Sequence, residues 1–221
     1  MVQLMNGPPD KSNRIWIGGV DDNLARHFSE RVLEISAQDE SKPIVLYINS
    51  PGGEANAMFT MLSIMDSVPN TFVTVAVGQA ASAGAMLLAH GDIRFVAPYA
   101  RVMIHEASGG MVGHVEDLQS SMQDFNALNI MAVETLAKNM GKTLRELKAI
   151  FKERGRDIHL SPEEAVKLGV ADHVGVPTVK EVPTSQMKYE ISLTEIKKTS
   201  VVRRASVGVV VKPVKAPKKK R

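Results

Sequence analysis

The stretch of sequence that decides the fold is Ile44-Val45-Leu46-Tyr47-Ile48-Asn49-Ser50-Pro51-Gly52-Gly53. Its first five residues are an unbroken apolar run of strand length, which is typical of a strand buried in a parallel sheet. Its last five residues force a turn, because proline and glycine are strong turn formers. After this turn, apolar residues recur at helical spacing at Met58, Leu62 and Met65. The stretch therefore predicts a strand, a tight turn and a helix in succession.

A second unit of the same kind follows along the chain. Residues 71–77 predict a strand, the small-residue segment Gly78-Gln79-Ala80-Ala81 predicts a turn, and residues 82–89 predict a short apolar helix. Upstream, Asp21 or Asp22 can cap another helix. Repeated strand-helix units imply right-handed crossovers and a largely parallel sheet. The predicted fold class is α/β.

A long helix is predicted after two short strands near residues 93–96 and 100–105 and a Gly-rich loop at residues 108–113. It runs to about residue 140, which is too long for the interior of a small domain. Its apolar residues lie three or four positions apart and form one stripe: Val115, Leu118, Met122, Phe125, Leu128, Ala132 and Leu136. We therefore predict that this helix projects and packs against a partner subunit. Capping boxes that begin at Thr143 and Ser161 predict two more helices.

Composition and charge divide the chain. With 221 residues and 44% hydrophobic content, it can fill one sizeable core. Residues 178–221 carry 12 Lys and Arg against 3 Asp and Glu, a net charge of +9, which leaves −6 for residues 1–177 of a chain that totals +3. We therefore expect an N-terminal arm at residues 1–13, one domain at residues 14–177, and a basic, mostly flexible tail at residues 178–221.

Composition also bears on partners and location. We expect the tail to be a solvated extension; the alternative is weak, salt-sensitive contact with nucleic acid, non-specific because Tyr189 is the tail's lone aromatic residue. The absence of Cys excludes disulfides, thiolate metal sites and a cysteine nucleophile. We find neither a secretory pattern nor an apolar run long enough to cross a bilayer. We therefore expect a cytoplasmic protein with no membrane partner.

Three polar residues are candidates for nucleophilic catalysis. A serine hydroxyl is a weak nucleophile unless a base takes its proton, a third group orients the base, and N–H donors receive the oxyanion. Ser82 lies among small residues at the start of a predicted helix, His105 ends a predicted strand, and Asp157 precedes a capped helix. Each has a structural alternative: a helix N-cap for Ser82, a satisfied core histidine for His105, and a turn residue for Asp157.

Gly52-Gly53 also has two interpretations. The pair could form only a tight turn, or it could present free N–H groups to an anion. No two of the six histidines have the spacing of a metal site. The proposed chemistry needs no metal and no organic cofactor.

Together, four segments resemble ClpP, the proteolytic subunit of the ATP-dependent Clp protease, and the likeness runs from about residue 15 to residue 174. They are the glycine turn at residues 47–53, the nucleophile segment at 78–85, the histidine strand at 101–105, and the aspartate segment at 156–157 and 160–165. The resemblance implies a ClpP/crotonase-like ββα superhelix with a projecting handle helix. It also implies a serine endopeptidase with the triad Ser82, His105 and Asp157, and with an oxyanion hole formed by the N–H groups of Gly53 and Ala83.

The resemblance further implies how the protein works in an assembly. The handle helix, from about residue 113 to residue 140, would interdigitate two stacked heptameric rings of identical subunits into a closed chamber. Ser108, Gly109, Gly110 and Met111 would belong to a strand that binds an unfolded protein or peptide in extended form, through main-chain hydrogen bonds.

Three features depart from the family pattern. Residues 1–10 lack the longer apolar segment that in the family meets the ATPase, which argues against docking to a Clp-type ATPase. Residues 178–221 extend past the family's usual end, and Glu106 stands where a glutamine is common. These departures favour a divergent or phage-encoded relative.

Three other functions share parts of this pattern. Crotonases have the same superhelix and a similar oxyanion hole, but they act on acyl-CoA thioesters and need no Ser-His-Asp set. Relatives of signal-peptide peptidases pair serine with lysine, and no lysine lies in the four segments. An inactive structural ring would keep the fold and the assembly surface without activity, and the complete triad weighs against it.

Overall fold

Strands and helices alternate through most of the chain. The computed structural model of the protein describes residues 12–110, 112, 114–181, 189–193 and 209–212. The strands of the main sheet are β1 (Arg14–Ile17), β2 (Ile44–Ser50), β3 (Phe72–Ala81), β4 (Ile93–Val96), β5 (Arg101–His105), β6 (Asp157–Leu160) and β7 (His173–Val174). The helices are α1 (Asp22–Gln38), α2 (Ala55–Ser67), α3 (Ala83–His90), α4 (Val115–Asn139), α5 (Leu144–Arg154) and α6 (Pro162–Leu168). Within the described ranges, every helix is too short or too polar to cross a bilayer.

The main sheet is built almost entirely from parallel pairs. Its strand order is β1-β2-β3-β4-β7, and each of these neighbours pairs in parallel. β3 also pairs in parallel with β5, and β5 pairs antiparallel with β6. The predicted α/β class and the largely parallel sheet are confirmed.

The prediction of a turn at residues 78–81 is wrong, because β3 continues through this segment. Residues 79–81 pair with residues 101–103 of β5, so the sheet ladder satisfies their backbone groups. A small residue is needed here for packing and not for turning. A Cβ atom on Gly78 would lie 2.5 Å from Oδ1 of Asn49.

The sheet carries apolar residues on both faces. Side chains alternate along β2, and its apolar run is unbroken, so apolar side chains emerge on each side. Ile44, Leu46 and Ile48 belong to the main core, which the sheet forms with α1, α2, α3 and the carboxyl half of α4. The opposite face holds a separate group, the second-face cluster: Val45, Val73, Val75, Ile93 and Phe95. Both groups are buried to within a few per cent of full exclusion from solvent.

Helix α4 packs along only half of its length. Its carboxyl part contributes Val133, Leu136 and Ala137 to the main core. Met122, in the amino half, and Ile130, just past the middle, each stay 50% exposed. The helix therefore projects, as the sequence predicts, and its exposed apolar residues have an unfavourable contact with water that a protein partner would remove.

Part of the predicted tail forms a second, small sheet. β8 (Pro177–Glu181) pairs antiparallel with β9 (Tyr189–Leu193), and β10 (Val209–Lys212) pairs in parallel with β9. Val179 packs against the second-face cluster, whereas Thr178 beside it faces solvent. These three strands give regular structure to part of the predicted tail, and the flexibility of the tail stays a prediction.

The other predictions for the chain ends have a different status. Residues 1–11 and the remainder of the tail lie outside the described residues. The division of the chain at residues 13 and 177 stays a prediction.

One buried cation joins the carboxyl ends of three helices. Arg94, on β4, is 6% exposed and pairs with Asp172 through Nη2–Oδ1 at 2.5 Å and Nε–Oδ2 at 3.0 Å. Its Nη1 donates to the carbonyl oxygens of Ala89, Asn139 and Gly169 at 3.3, 2.9 and 2.9 Å. These carbonyls lie at the carboxyl ends of α3, α4 and α6, where helix dipoles favour positive charge. Arg94 therefore fixes three helices relative to β4.

Replacing Arg94 should cost far more stability than replacing an exposed arginine. Arg94→Met leaves Asp172 without its buried partner, so we expect the free energy of unfolding to fall by about 3–5 kcal/mol. Arg154→Met is the control, because Arg154 pairs with Glu164 at a more exposed site, where such pairs contribute less than about 1 kcal/mol. Urea denaturation of both variants measures the difference, and equal losses would contradict the role of Arg94.

A charge placed on the inner face of β8 should detach it from the main sheet. Val179→Asp puts a carboxylate against the second-face cluster, so we expect a loss of about 1–3 kcal/mol in the free energy of unfolding and increased binding of a hydrophobic dye. Thr178→Asp adds the same charge to the solvent face of the strand and should change neither quantity. If the two variants behave alike, β8 does not cover the cluster.

Candidate active site

Ser82 occupies the sharp bend between β3 and α3. Its backbone has φ 53° and ψ −120°, and among the described residues other than glycine it is the one with a positive φ. Such a conformation costs on the order of 1–3 kcal/mol and persists only where the surroundings enforce it. Here the N–H of Ser82 donates to the carbonyl oxygen of Met103 at 2.9 Å, and the carbonyl of Ser82 accepts from the N–H of Ala85 at 2.9 Å. The bend is thus held between β5 and the first turn of α3.

The hydroxyl of Ser82 contacts an imidazole instead of capping the helix. Ser82 makes no side-chain hydrogen bond to α3, so the N-cap alternative does not describe it. Its Oγ lies 2.7 Å from Nε2 of His105, which is within hydrogen-bonding distance. His105 ends β5, and its side chain is 15% exposed. A neutral imidazole that carries its proton on Nδ1 can accept the hydroxyl proton at Nε2.

Asp157 lies directly opposite His105 on the neighbouring strand. The antiparallel pairing of β5 and β6 sets these two residues side by side, so their side chains emerge on the same face. The distance from Nδ1 of His105 to Oδ1 of Asp157 is 3.5 Å, longer than an ordinary hydrogen bond of about 2.7–3.2 Å. The side chain of Asp157 is 60% exposed. The structure therefore brings the three predicted residues together, with a close Ser–His contact and a longer His–Asp contact.

The glycine turn after β2 packs against the bend at Ser82. Gly52 has a φ of +101°, and a Cβ atom on it would lie 2.6 Å from Cβ of Ser82 and 3.2 Å from the amide nitrogen of Ala83. Gly53 has a φ of +149°, and a Cβ atom on it would lie 2.0 Å from the carbonyl oxygen of Val20. Both positions require glycine, for the backbone conformation and for space.

Two backbone N–H groups at this contact match the predicted oxyanion donors. Within the described ranges, no acceptor is found for the N–H of Gly53 or of Ala83. The turn itself is anchored on both sides of Gly53, because Val20 donates to the carbonyl of Gly52 and Glu54 donates to the carbonyl of Val20, at 2.9 and 2.8 Å. The amino end of α3 adds positive partial charge beside Ala83. This arrangement could stabilise negative charge that develops near Ser82.

A cavity of about 480 Å³ opens at Ser82 and His105. Its walls come from α2, α3 and α4 and are mostly apolar: Met58, Met86, Phe125, Ala132, Val133 and Leu136. Sequence reasoning missed this cavity, because the same residues fit the apolar stripe of a core helix, and spacing alone does not separate a cavity wall from a core. An apolar cavity beside Ser82 suits an apolar group of a substrate.

The predicted substrate segment borders this cavity without forming a strand. Residues 106–110 have no regular secondary structure, since no neighbouring strand pairs with them. Ser108 lines the cavity, and Gly109 and Gly110 are exposed. Met111 lies outside the described residues. The role of these four residues in binding a substrate stays a prediction.

The described ranges contain no cluster of three or more His, Asp and Glu side chains that could hold a metal ion. At the cavity, His105 instead lies between the hydroxyl of Ser82, 2.7 Å from its Nε2, and the carboxylate of Asp157, 3.5 Å from its Nδ1. That order suits the transfer of a proton away from Ser82.

Comparison with known proteins places this geometry in context. A family model described as Clp protease matches residues 10–178. The chain is 34% identical over 163 residues to ATP-dependent Clp protease proteolytic subunit 2 of Tropheryma whipplei (strain Twist), which covers 72% of this chain and 89% of that protein. It is 35% identical over 167 residues to ATP-dependent Clp protease proteolytic subunit 1 of Leifsonia xyli subsp. xyli (strain CTCB07), which covers 74% of this chain and 83% of that protein.

A side chain at Gly53 should disable the hydroxyl of Ser82 without touching it. Gly53→Ala forces the turn away from Val20 and displaces an N–H donor, and loss of one such donor typically slows reaction by about 10²–10³-fold. The rate at which a fluorophosphonate labels Ser82 measures the effect. Gly18→Ala is the control, because a Cβ atom there meets nothing within 4 Å. Labelling of Gly53→Ala at the unaltered rate would contradict the site.

Proposed function

The chain belongs to the Clp protease family, a family of serine-type endopeptidases, and we propose that it hydrolyses unfolded proteins or peptides inside an oligomeric chamber through Ser82, His105 and Asp157. The observation that carries this assignment is the contact of 2.7 Å between Oγ of Ser82, on a strained bend, and Nε2 of His105. A serine in an ordinary N-cap would not point at an imidazole.

The chemistry follows from the order of the groups. Oγ of Ser82 attacks the carbonyl carbon of the scissile peptide bond while Nε2 of His105 takes its proton. The N–H groups of Gly53 and Ala83 receive the oxyanion of the tetrahedral intermediate. His105 then gives the proton to the departing amine, the C–N bond breaks, and an acyl group remains on Ser82. Water, deprotonated by His105, attacks the acyl carbon; the ester bond to Oγ of Ser82 then breaks, His105 returns the proton to Oγ, and the acid leaves.

Asp157 orients the base in this scheme. A carboxylate facing Nδ1 holds the proton on that nitrogen and leaves Nε2 free to accept. It also stabilises the imidazolium that forms during each step. The distance of 3.5 Å is longer than the bond this role requires, so the mechanism calls for a small approach of Asp157 to His105 when substrate is bound.

The substrate would lie in extended form along residues 108–110, with an apolar side chain in the cavity. Exposed backbone of this segment can bond to a peptide main chain, which recognises shape and not sequence. The apolar cavity walls supply the remaining selectivity.

The exposed half of α4 supports assembly into a homo-oligomer. Met122 and Ile130 would be covered by another subunit, and stacked heptameric rings are the arrangement we propose. The relatives are named as proteolytic subunits of ATP-dependent proteases, which supports a Clp-type ATPase as partner. The contrary argument concerns residues 1–10, which lie outside the described residues. Nucleic-acid contact by the tail and a cytoplasmic location stay predictions.

The rival functions require different chemistry. An acyl-CoA enzyme of the crotonase type has no use for the Ser82–His105 contact, and a serine-lysine enzyme would need a lysine at the cavity, whose lining contains none. An inactive ring would assemble but would neither react with a fluorophosphonate nor cleave peptides.

Labelling with a fluorophosphonate tests the assignment directly. We expect one modified residue, Ser82, and we expect Ser82→Ala to lower peptide hydrolysis by several orders of magnitude, because triad members act as a unit. Native mass measurement should show the same assembly in both proteins. Ser63→Ala, on the exposed face of α2, is the matched control and should retain full activity. An active Ser82→Ala variant would refute the proposal.

A further inference from the structure

We propose that Asn129, on α4, is a positioning residue. It holds the substrate segment, residues 106–110, at a fixed place beside the cavity. The inference rests on the proposed function for its catalytic meaning, but the contact itself belongs to the fold. Oδ1 of Asn129 accepts the N–H of Ala107 at 2.8 Å. Ala107 is two residues beyond His105, so the contact lies next to the base.

The bond between Asn129 and Ala107 is important for the position of residues 106–110, because few other contacts hold this segment. β5 ends at His105, and no strand pairs with residues 106–110. In the described part of the chain, the bond to Asn129 is the one hydrogen bond found for the backbone of this segment. Without it, the half-buried N–H of Ala107 would lose its partner, and the segment would be free to shift.

A second contact from the same face of α4 supports the first. A Cβ atom on Gly109 would lie 3.2 Å from Cε2 of Phe125, so this glycine packs against the aromatic ring. Phe125 precedes Asn129 by one helical turn, and both share a face with Ala132 and Leu136 of the cavity wall. One face of α4 therefore forms a wall of the cavity and fixes the segment that borders it.

Two consequences follow for substrate binding. The N–H of Ala107 is already used, so a bound peptide has to form its main-chain bonds with the other backbone groups of the segment. The spacing between the segment and the cavity wall depends on Asn129, so loss of the bond should weaken the binding of a peptide. Loss of the bond should therefore affect long peptides, which need the segment, more than small reagents, which need only Ser82 and His105.

Asn129 also lies beside residues available to a partner. Ile130 and Met131, next along the helix, are 50% and 45% exposed. A subunit that packs on them would press on the helical turn that holds Ala107. The geometry thus connects the projecting helix to the substrate segment through a single side chain.

The test compares three variants. Asn129→Leu keeps the size and removes the acceptor; we expect the KM for a long peptide to rise about tenfold with little change in kcat, and fluorophosphonate labelling to stay within about twofold of the parent protein. Asn129→Asp keeps an acceptor oxygen and should restore the KM to within about threefold. Asn23→Leu makes the same exchange at an exposed position of α1, away from the cavity, and should match the parent protein.

Hydrogen exchange supplies a readout that needs no activity. The amide of Ala107 should exchange faster in Asn129→Leu than in the parent protein, Asn129→Asp or Asn23→Leu. Unchanged exchange and unchanged KM in Asn129→Leu would overturn the inference, as would equal losses in labelling and in peptide hydrolysis. A parent protein that is neither labelled nor active would sink the proposed function instead, and the exchange result would still decide the role of Asn129.

Discussion

The buried pair of Arg94 and Asp172 is the interaction on which the arrangement of the site depends, although neither residue lies in the cavity. Arg94 binds the carbonyl oxygens of Ala89 and Asn139, the carboxyl ends of α3 and α4. The opposite end of α3 follows Ser82, and the side of α4 forms a cavity wall. A buried cation is tolerated only when its hydrogen bonds are satisfied, so these helix ends have little freedom to move.

Strand β5 brings Ser82, His105 and Asp157 together because it lies between β3 and β6. One edge pairs with the end of β3, which leads into Ser82, and the other edge pairs with β6, which begins at Asp157. β5 itself ends at His105, and its Met103 carbonyl holds the backbone of Ser82 in its strained conformation. Ser82, His105 and Asp157 therefore lie at the ends of three adjacent strands.

Local patterns in the sequence predict the parts of this fold that local chemistry determines. The apolar run of β2, the cap at Asp21 and the capping boxes at Thr143 and Ser161 all act within a few residues, and all are present. The small residues at 78–81 favour a turn by local rules, but they belong to β3 and are explained by neighbours distant in sequence, such as Asn49. Three other contacts also join residues that are distant in sequence: Arg94 with the helix ends, Val179 with the second-face cluster, and Asn129 with Ala107. The spacing of residues along the sequence therefore does not reveal them. The candidate site depends on the resemblance of four segments to the family, since each segment alone also fits a structural role.

The pairing of His105 with Asp157 limits how this protein could change over time. A slip of one position between β5 and β6 would place Arg156 or Ile158 across from His105. A cation or an aliphatic group would then stand where the proposed mechanism requires a carboxylate. The fifty or so intervening residues, α4 and α5 among them, can gain or lose length at their loops. The pairing register of β5 and β6 is the feature that the mechanism fixes. Whatever the length of the segment between them, Asp157 has to lie opposite His105 and on the same face of the sheet.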